Sequence, residues 1–167
     1  SVQLSEISLK VAYISPSKYD ILFTGDWKDV TVDGYLEELT KLFYNSYPRL
    51  YQRWGNGTEP TTITFKADNN YDGVAYCQGT TVCVSTKYAN SHPKDIGFFS
   101  HEITHSVQQY SGKLNYGDDV AWWTENMANY GGFRYFHWSN PKYVQVYEAT
   151  DTSLQDWGYE QYGNNKW

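Results

Sequence analysis

The residues of this chain best suited to chemistry are His101-Glu102-Ile103-Thr104-His105. Helical residues four apart differ by about 40° around the axis, so both imidazoles project from one side and can grip a single metal ion. The glutamate between them is placed to act on a water bound to that metal, and the spacing predicts metal-assisted hydrolysis. At about 100° per residue, Ile96, Phe99, Ile103, Val107 and Tyr110 form a core-facing stripe. The two histidines point roughly the other way, as on a helix that forms the floor of a cleft. Gly112 is expected to end the helix.

Catalytic zinc needs three protein ligands and an open position. A third histidine at HExxHxxGxxH spacing is excluded, because those positions hold Gln108 and Ser111. Two alternatives remain: an aspartate shortly downstream, Asp118 or Asp119, or a glutamate on the following helix, Glu125. A loop and an antiparallel helix return Glu125 to the histidine pair, whereas Asp118 and Asp119 suit the N-cap and first turn of a helix from about Val120. Glu125 is therefore the preferred third ligand. Trp122, Glu125, Asn129 and Phe136 share a side of that helix. A zinc-bound histidine donates its second ring N–H to an acceptor, and Asn129, one turn beyond Glu125, is placed to provide one. Gly131-Gly132 mark where the helix ends, bends or packs very closely.

Positioning these groups requires a core. A chain of 167 residues with 40% hydrophobic and 19% aromatic content suits one domain, sheet-rich over about 1–112 and helical over about 113–167. Seventeen Tyr and seven Trp exceed what packing alone needs and suit cleft walls. A net charge of −6, a pI near 5.1 and the lack of a basic run exclude nucleic acid and anionic membrane as partners. No apolar stretch approaches the roughly 18 residues of a membrane span, no signal peptide is retained, and Ser1 reads as a processed start. The expected state is a monomer.

Residues 8–24 read as two strands, with alternation at Leu9, Val11 and Tyr13, a break at Ser15-Pro16-Ser17, and the run Ile21-Leu22-Phe23-Thr24. Leu36, Leu39, Phe43 and Tyr47, then Leu50, Tyr51 and Trp54 beyond Pro48, predict one long or two abutting helices over about 33–54. Strand returns at Thr62–Lys66, followed by a hairpin of Val74–Cys77 and Val82–Thr86. Between them, Asp68-Asn69-Asn70-Tyr71-Asp72-Gly73 matches the first six positions of a calcium loop, making Asp68, Asn70 and Asp72 candidate Ca2+ ligands. The twelfth position is Gly79 rather than Glu, which favours a turn that needs Gly73 for its backbone conformation. Cys77 and Cys83, the only cysteines, sit on the two strands of one hairpin and predict a cross-strand disulfide. With the glycosylation sequon Asn56-Gly57-Thr58 they point to secretion.

Four stretches together resemble the basic secretory protein family, zinc peptidases of plants and microbes in the thermolysin-like (gluzincin) group. They are Asp72-Gly73-Val74-Ala75-Tyr76, Val84-Ser85 with Tyr88 after it, Gly97 to His105 with Gln108 following, and Glu125-Asn126-Met127-Ala128-Asn129-Tyr130. The resemblance covers about residues 60–162 and is specific over about 72–130. It implies an extracellular, zincin-like α+β fold with an N-terminal mixed sheet and helices, an active-site helix, and a mainly helical C-terminal part. It also implies one Zn2+ held by His101, His105 and Glu125, with Glu102 as catalytic base. Asn129 stands where the family carries Asp. Family chains continue past the segment resembled by Asp156-Trp157-Gly158-Tyr159, so this chain reads as a fragment or a short variant.

The expected activity is that of a secreted, zinc-dependent endopeptidase. Zinc lowers the pKa of its water towards about 7, Glu102 removes the proton, the hydroxide attacks a peptide carbonyl, and Glu102 hands the proton to the leaving amine. An extended substrate would pair with an edge strand, for which Val82, Cys83, Val84 and Ser85 are the candidate segment. For the oxyanion donor, Tyr130 projects about 140° from Glu125 and suits the core, and His137 lies beyond the glycine pair. Tyr159 is chosen because it resembles a Gly-Tyr segment at the corresponding place in the family. The alternative is a catalytically silent module that binds a glycan or defence target through exposed Tyr and Trp. Glu102 weighs against it, since binding alone needs no general base.

Overall fold

A computed structural model describes residues 18–111, 124, 125 and 127–131. Alternating burial builds the first two strands. Ile21 and Phe23 of β1 (Asp20–Gly25) turn into the core, as do Ile63, Phe65 and Ala67 of β2 (Thr62–Asp68). Their parallel register sets Ile21 beside Ile63 and Phe23 beside Phe65. The crossover between them is α1 (Tyr35–Trp54), which buries Leu39, Phe43, Tyr47 and Leu50. Of the two options for this segment, the single helix is the one found. An interior proline costs about 3 kcal/mol, and Tyr47 and Leu50, fully buried on either side of Pro48, offset it.

β3 (Ala75–Gln78) and β4 (Thr81–Ser85) form an antiparallel hairpin, and β4 also pairs in parallel with β2, giving the order β1-β2-β4-β3. This corrects the expected substrate edge. Val82, Cys83, Val84 and Ser85 lie on an interior strand, at 0–1% exposure, with both sides of the ladder occupied. The unbroken run Val82-Cys83-Val84 is the pattern of a strand covered on both faces, and among the described strands the edges are β1 and β3.

The register also overturns the disulfide. Cys83 pairs with Tyr76 and Cys77 with Val82, so the two cysteines are one register position apart and point to opposite faces of the sheet. Both thiols are free. Cys77 Sγ lies 3.1 Å from Ser106 Oγ on the helix side.

The 69–73 loop is held by local contacts. Asp68 Oδ1 accepts from Asn70 N at 2.8 Å, and its other oxygen pairs with Lys66. Asp72 pairs with Lys87, which holds its carboxyl below the usual range. These carboxylates are thus engaged by a backbone N–H and two lysines. Gly73 is not at positive φ, contrary to the expectation. A Cβ there would lie 2.3 Å from Tyr71 Oη, so a side chain at this position needs the Tyr71 ring to shift.

Ser85 caps α2 (Thr86–Ser91), its Oγ accepting from Tyr88 N at 3.3 Å. The next helix, α3 (Phe98–Ser111), packs on α1, β3 and β4. Phe99, Ile103 and Val107 are buried, as is Ile96 just before the helix, but Tyr110 is 40% exposed and leaves the predicted stripe. In the last turn burial passes to Ser111, 40° further round the helix than Val107 at about 100° per residue. The sequon loop straps this end of α3. Asn56 Nδ2 donates to Ser111 O at 2.8 Å, while Asn56 Oδ1 accepts from Thr58 Oγ1 at 2.6 Å. Residues 124, 125 and 127–131 are helical. The first predicted strand, with Leu9, Val11 and Tyr13, and the predicted stop at Gly112 lie outside the described residues. Among the described residues, no helix is long and apolar enough to cross a membrane.

Candidate metal centre

The side of α3 opposite its apolar stripe is covered rather than solvated. Glu102, His105 and Gln108 are buried, and His101 is half-buried. The covering comes from β3 on one side and from the helical residues around Glu125 on the other. Between them lies a cleft of about 480 Å³ lined by Ala75, Tyr76, Cys77, His101, Glu102, His105, Gln109 and Glu125.

Glycine allows the Glu125 helix to approach. A Cβ on Gly131 would lie 2.4 Å from Thr104 Oγ1, so the close packing on α3 expected at this glycine is found; whether the helix ends or bends at Gly132 lies outside the described residues. Tyr130 packs near Trp54, with ring centroids 6.2 Å apart, on the α1 side as its helical angle predicts. This docking sets Glu125 against the histidine pair. Its Oε2 is 3.2 Å from His101 Nε2, its Oε1 is 3.5 Å from His105 Nε2, and the two Nε2 atoms are 3.1 Å apart.

Both outer ring nitrogens face an amide oxygen. His101 Nδ1 donates to Asn129 Oδ1 at 2.8 Å, and His105 Nδ1 donates to Gln108 Oε1 at 2.7 Å. With Nδ1 protonated on each ring, the two Nε2 atoms face each other and a carboxylate as acceptors, which a proton or metal cation between them must relieve. One proton could serve only a pair, whereas a metal ion, if bound, could be held by all three residues. Tetrahedral zinc with bonds of about 2.0–2.1 Å keeps its ligand atoms roughly 3.3 Å apart, close to the three separations here. The donor set therefore fits a zinc ion.

Two carboxylates approach the imidazoles, and geometry separates their roles. Donor atoms of His101, Glu102 and His105 lie within 4.8 Å of one another, but Glu125 is closer to both rings. Glu102 follows His101 directly and is turned about 100° from it around α3, so it flanks the ring pair rather than completing it. Burial raises the Glu102 pKa, with the Glu125 charge adding and the two histidines opposing. For Glu125, burial opposes ionisation, but hydrogen bonds and charge from His101 and His105 win and hold its carboxyl far below the usual range. Burial likewise works against a charged His105, yet Glu125, Glu102 and Gln108 carry its pKa net upward.

Sequence reasoning missed three contributors. Gln108 bonds His105 from three residues along the same helix, a spacing that could have flagged it. Gln109 Oε1 accepts from Gly79 N at 2.9 Å and pins the hairpin turn to α3. Ala75, Tyr76 and Cys77 line the cleft because β3, not β4, is the strand at the edge. Burial pushes the Cys77 thiol up to about 12, with Ser106 opposing. Asp118, Asp119, Trp122, Phe136, His137 and Tyr159 lie outside the described residues. Comparison with protein-family models, curated proteins and solved structures finds no match to this chain.

Proposed function

We propose that the chain is a zinc-dependent endopeptidase, with His101, His105 and Glu125 holding the ion and Glu102 acting as general base. One observation carries this reading: two imidazole Nε2 atoms and the Glu125 carboxylate converge at separations of 3.1, 3.2 and 3.5 Å, with the buried carboxylate of Glu102 alongside. A zinc ion held there supplies Lewis acidity and brings the pKa of a coordinated water towards about 7.

The chain's own groups account for the proton traffic and positioning. Glu102, its pKa raised by burial, is suited to take a proton from water and return it to a leaving amine. Asn129 and Gln108 hold the two rings with Nε2 turned towards Glu125. An extended peptide fits the outer edge of β3, the strand whose Ala75, Tyr76 and Cys77 line the cleft. Tyr159 is proposed as oxyanion donor on its resemblance alone.

A zincin-like α+β architecture and secretion belong to the same proposal. They rest on the likeness to basic secretory proteins and on the Asn56 sequon; the free cysteines lend secretion no support. The deciding experiment is metal analysis together with a broad peptide-library digest, repeated with Glu102→Ala. One zinc per chain and hydrolysis that the variant loses support the reading. A chain without zinc, or a variant as active as the parent, refutes it.

A further inference from the structure

The side-chain amide of Gln108 lies between the two halves of the metal centre, and chemistry fixes its orientation. A backbone carbonyl only accepts hydrogen bonds, so the end of the amide 3.0 Å from Thr124 O is the donating Nε2. The opposite end, Oε1, then faces His105 Nδ1 at 2.7 Å. An amide oxygen also only accepts, so His105 must carry a proton on Nδ1. In the neutral ring this leaves Nε2 bare, directed at His101 Nε2 and Glu125. Turning the amide over would set oxygen against oxygen at Thr124 and favour the other tautomer, whose Nε2–H cannot ligate a metal. Gln108 is only 3% exposed, so loss of either hydrogen bond would leave a buried polar atom in need of a partner. Thr124 directly precedes Glu125. The carbonyl that orients the amide thus belongs to the segment that delivers the third ligand, the Glu125 carboxylate.

We propose that Gln108 is a positioning residue: an amide relay through which docking of the Thr124-Glu125 segment selects the His105 tautomer that binds zinc. The relay ties delivery of one ligand to preparation of another. His101 needs no relay, since Asn129 orients it directly from the same helical segment that carries Glu125. The purpose of the relay rests on the zinc reading above, but its hydrogen bonds do not.

The test is imidazole 15N NMR in mildly alkaline buffer, on metal-free protein and during Zn2+ titration, for the parent chain, Gln108→Leu and Gln108→Met. The parent is expected to show His105 protonated at Nδ1. In the variants, the Nε2–H form of His105 should become populated and Zn2+ affinity should fall about 10–100-fold. His101, held by Asn129, should keep its Nδ1 proton and so exclude general disruption of the site. The relay is overturned by a parent His105 protonated at Nε2 alone, which requires no variant to fold. It is equally overturned by a variant that keeps the Nδ1 proton and parental Zn2+ affinity. If the parent fails to bind Zn2+ while the tautomer is locked in the parent and released in the variants, the relay stands and the zinc reading falls.

Discussion

Replacing Gly131 by alanine probes the docking on which the whole site depends. The added methyl would lie 2.4 Å from Thr104 Oγ1, and 3.3 Å from both Thr104 Cγ2 and Trp54 Cζ3. Comfortable contact needs about 3.5 Å, so one partner must yield by about 1 Å. Thr104 cannot simply swing away, because its hydroxyl donates to Ser100 O at 2.7 Å inside α3. Overpacking of this kind costs about 1–3 kcal/mol, against a gain of about 1 kcal/mol from alanine's better helix propensity. The net expectation is a loss of about 0–2 kcal/mol in chemical denaturation of the metal-free protein. A shift of about 1 Å also carries Glu125 well outside the roughly 0.2 Å tolerance of a metal–ligand bond, so Zn2+ affinity should fall by about tenfold or more in a chelator competition. Thr104→Ala removes the main clash. In that background Gly131→Ala should stabilise by about 1 kcal/mol and restore much of the affinity, giving a coupling energy of about 1–3 kcal/mol. If Gly131→Ala alone stabilised the chain by about 1 kcal/mol and left Zn2+ affinity unchanged, the close packing and its role in placing Glu125 would both be refuted.

Glu102→Gln should retain bound zinc and the fold while hydrolysis falls at least about 10²-fold, the lower range for losing a general base; loss of zinc would mean that Glu102 is a ligand. Glu125→Ala should lose Zn2+ binding, as seen by calorimetry, and tight stoichiometric binding by this variant would remove Glu125 from the ligand set. Titration of the unfolded, unreduced chain should find two thiols, and Cys77 should resist alkylation in the folded protein near pH 8, because burial pushes its thiol up to about 12. Stability should decline as pH rises from 9 towards 12. The ordinary value of the Cys77 thiol is 9.0, and burial raises it to about 12, so across that window the folded chain keeps a proton that the unfolded chain has lost. Tyr76, bonded to Cys83, and Tyr88, partly buried and bonded to Asp95, rise from 10.0 to about 12 and act in the same direction. A flat unfolding midpoint between pH 9 and 11 would contradict this.

What the sequence determined by itself is what lies within one helical period or one short connection. The spacing of His101 and His105 on a helix follows from residues four apart, and the short sequence separation of Glu125 from them makes its return the preferred expectation. The angle between Glu125 and Asn129 is likewise local, so the bond from Asn129 to His101 could be anticipated before any tertiary contact was known. Strand order and register belong to the tertiary structure alone. Nothing in the run Val82 to Ser85 says that β2 will pair with it in parallel across the intervening β3, yet that pairing turns a supposed edge into the interior and hands the edge to Ala75–Gln78. A shift of one residue in the hairpin would set Cys83 beside Cys77; the pairing found sets it beside Tyr76. The second bond of Gln108, to a carbonyl sixteen residues away, exists only once the Glu125 helix has docked. Local periodicity selects which side chains can share a face, but only the packing of non-local elements decides what that face meets.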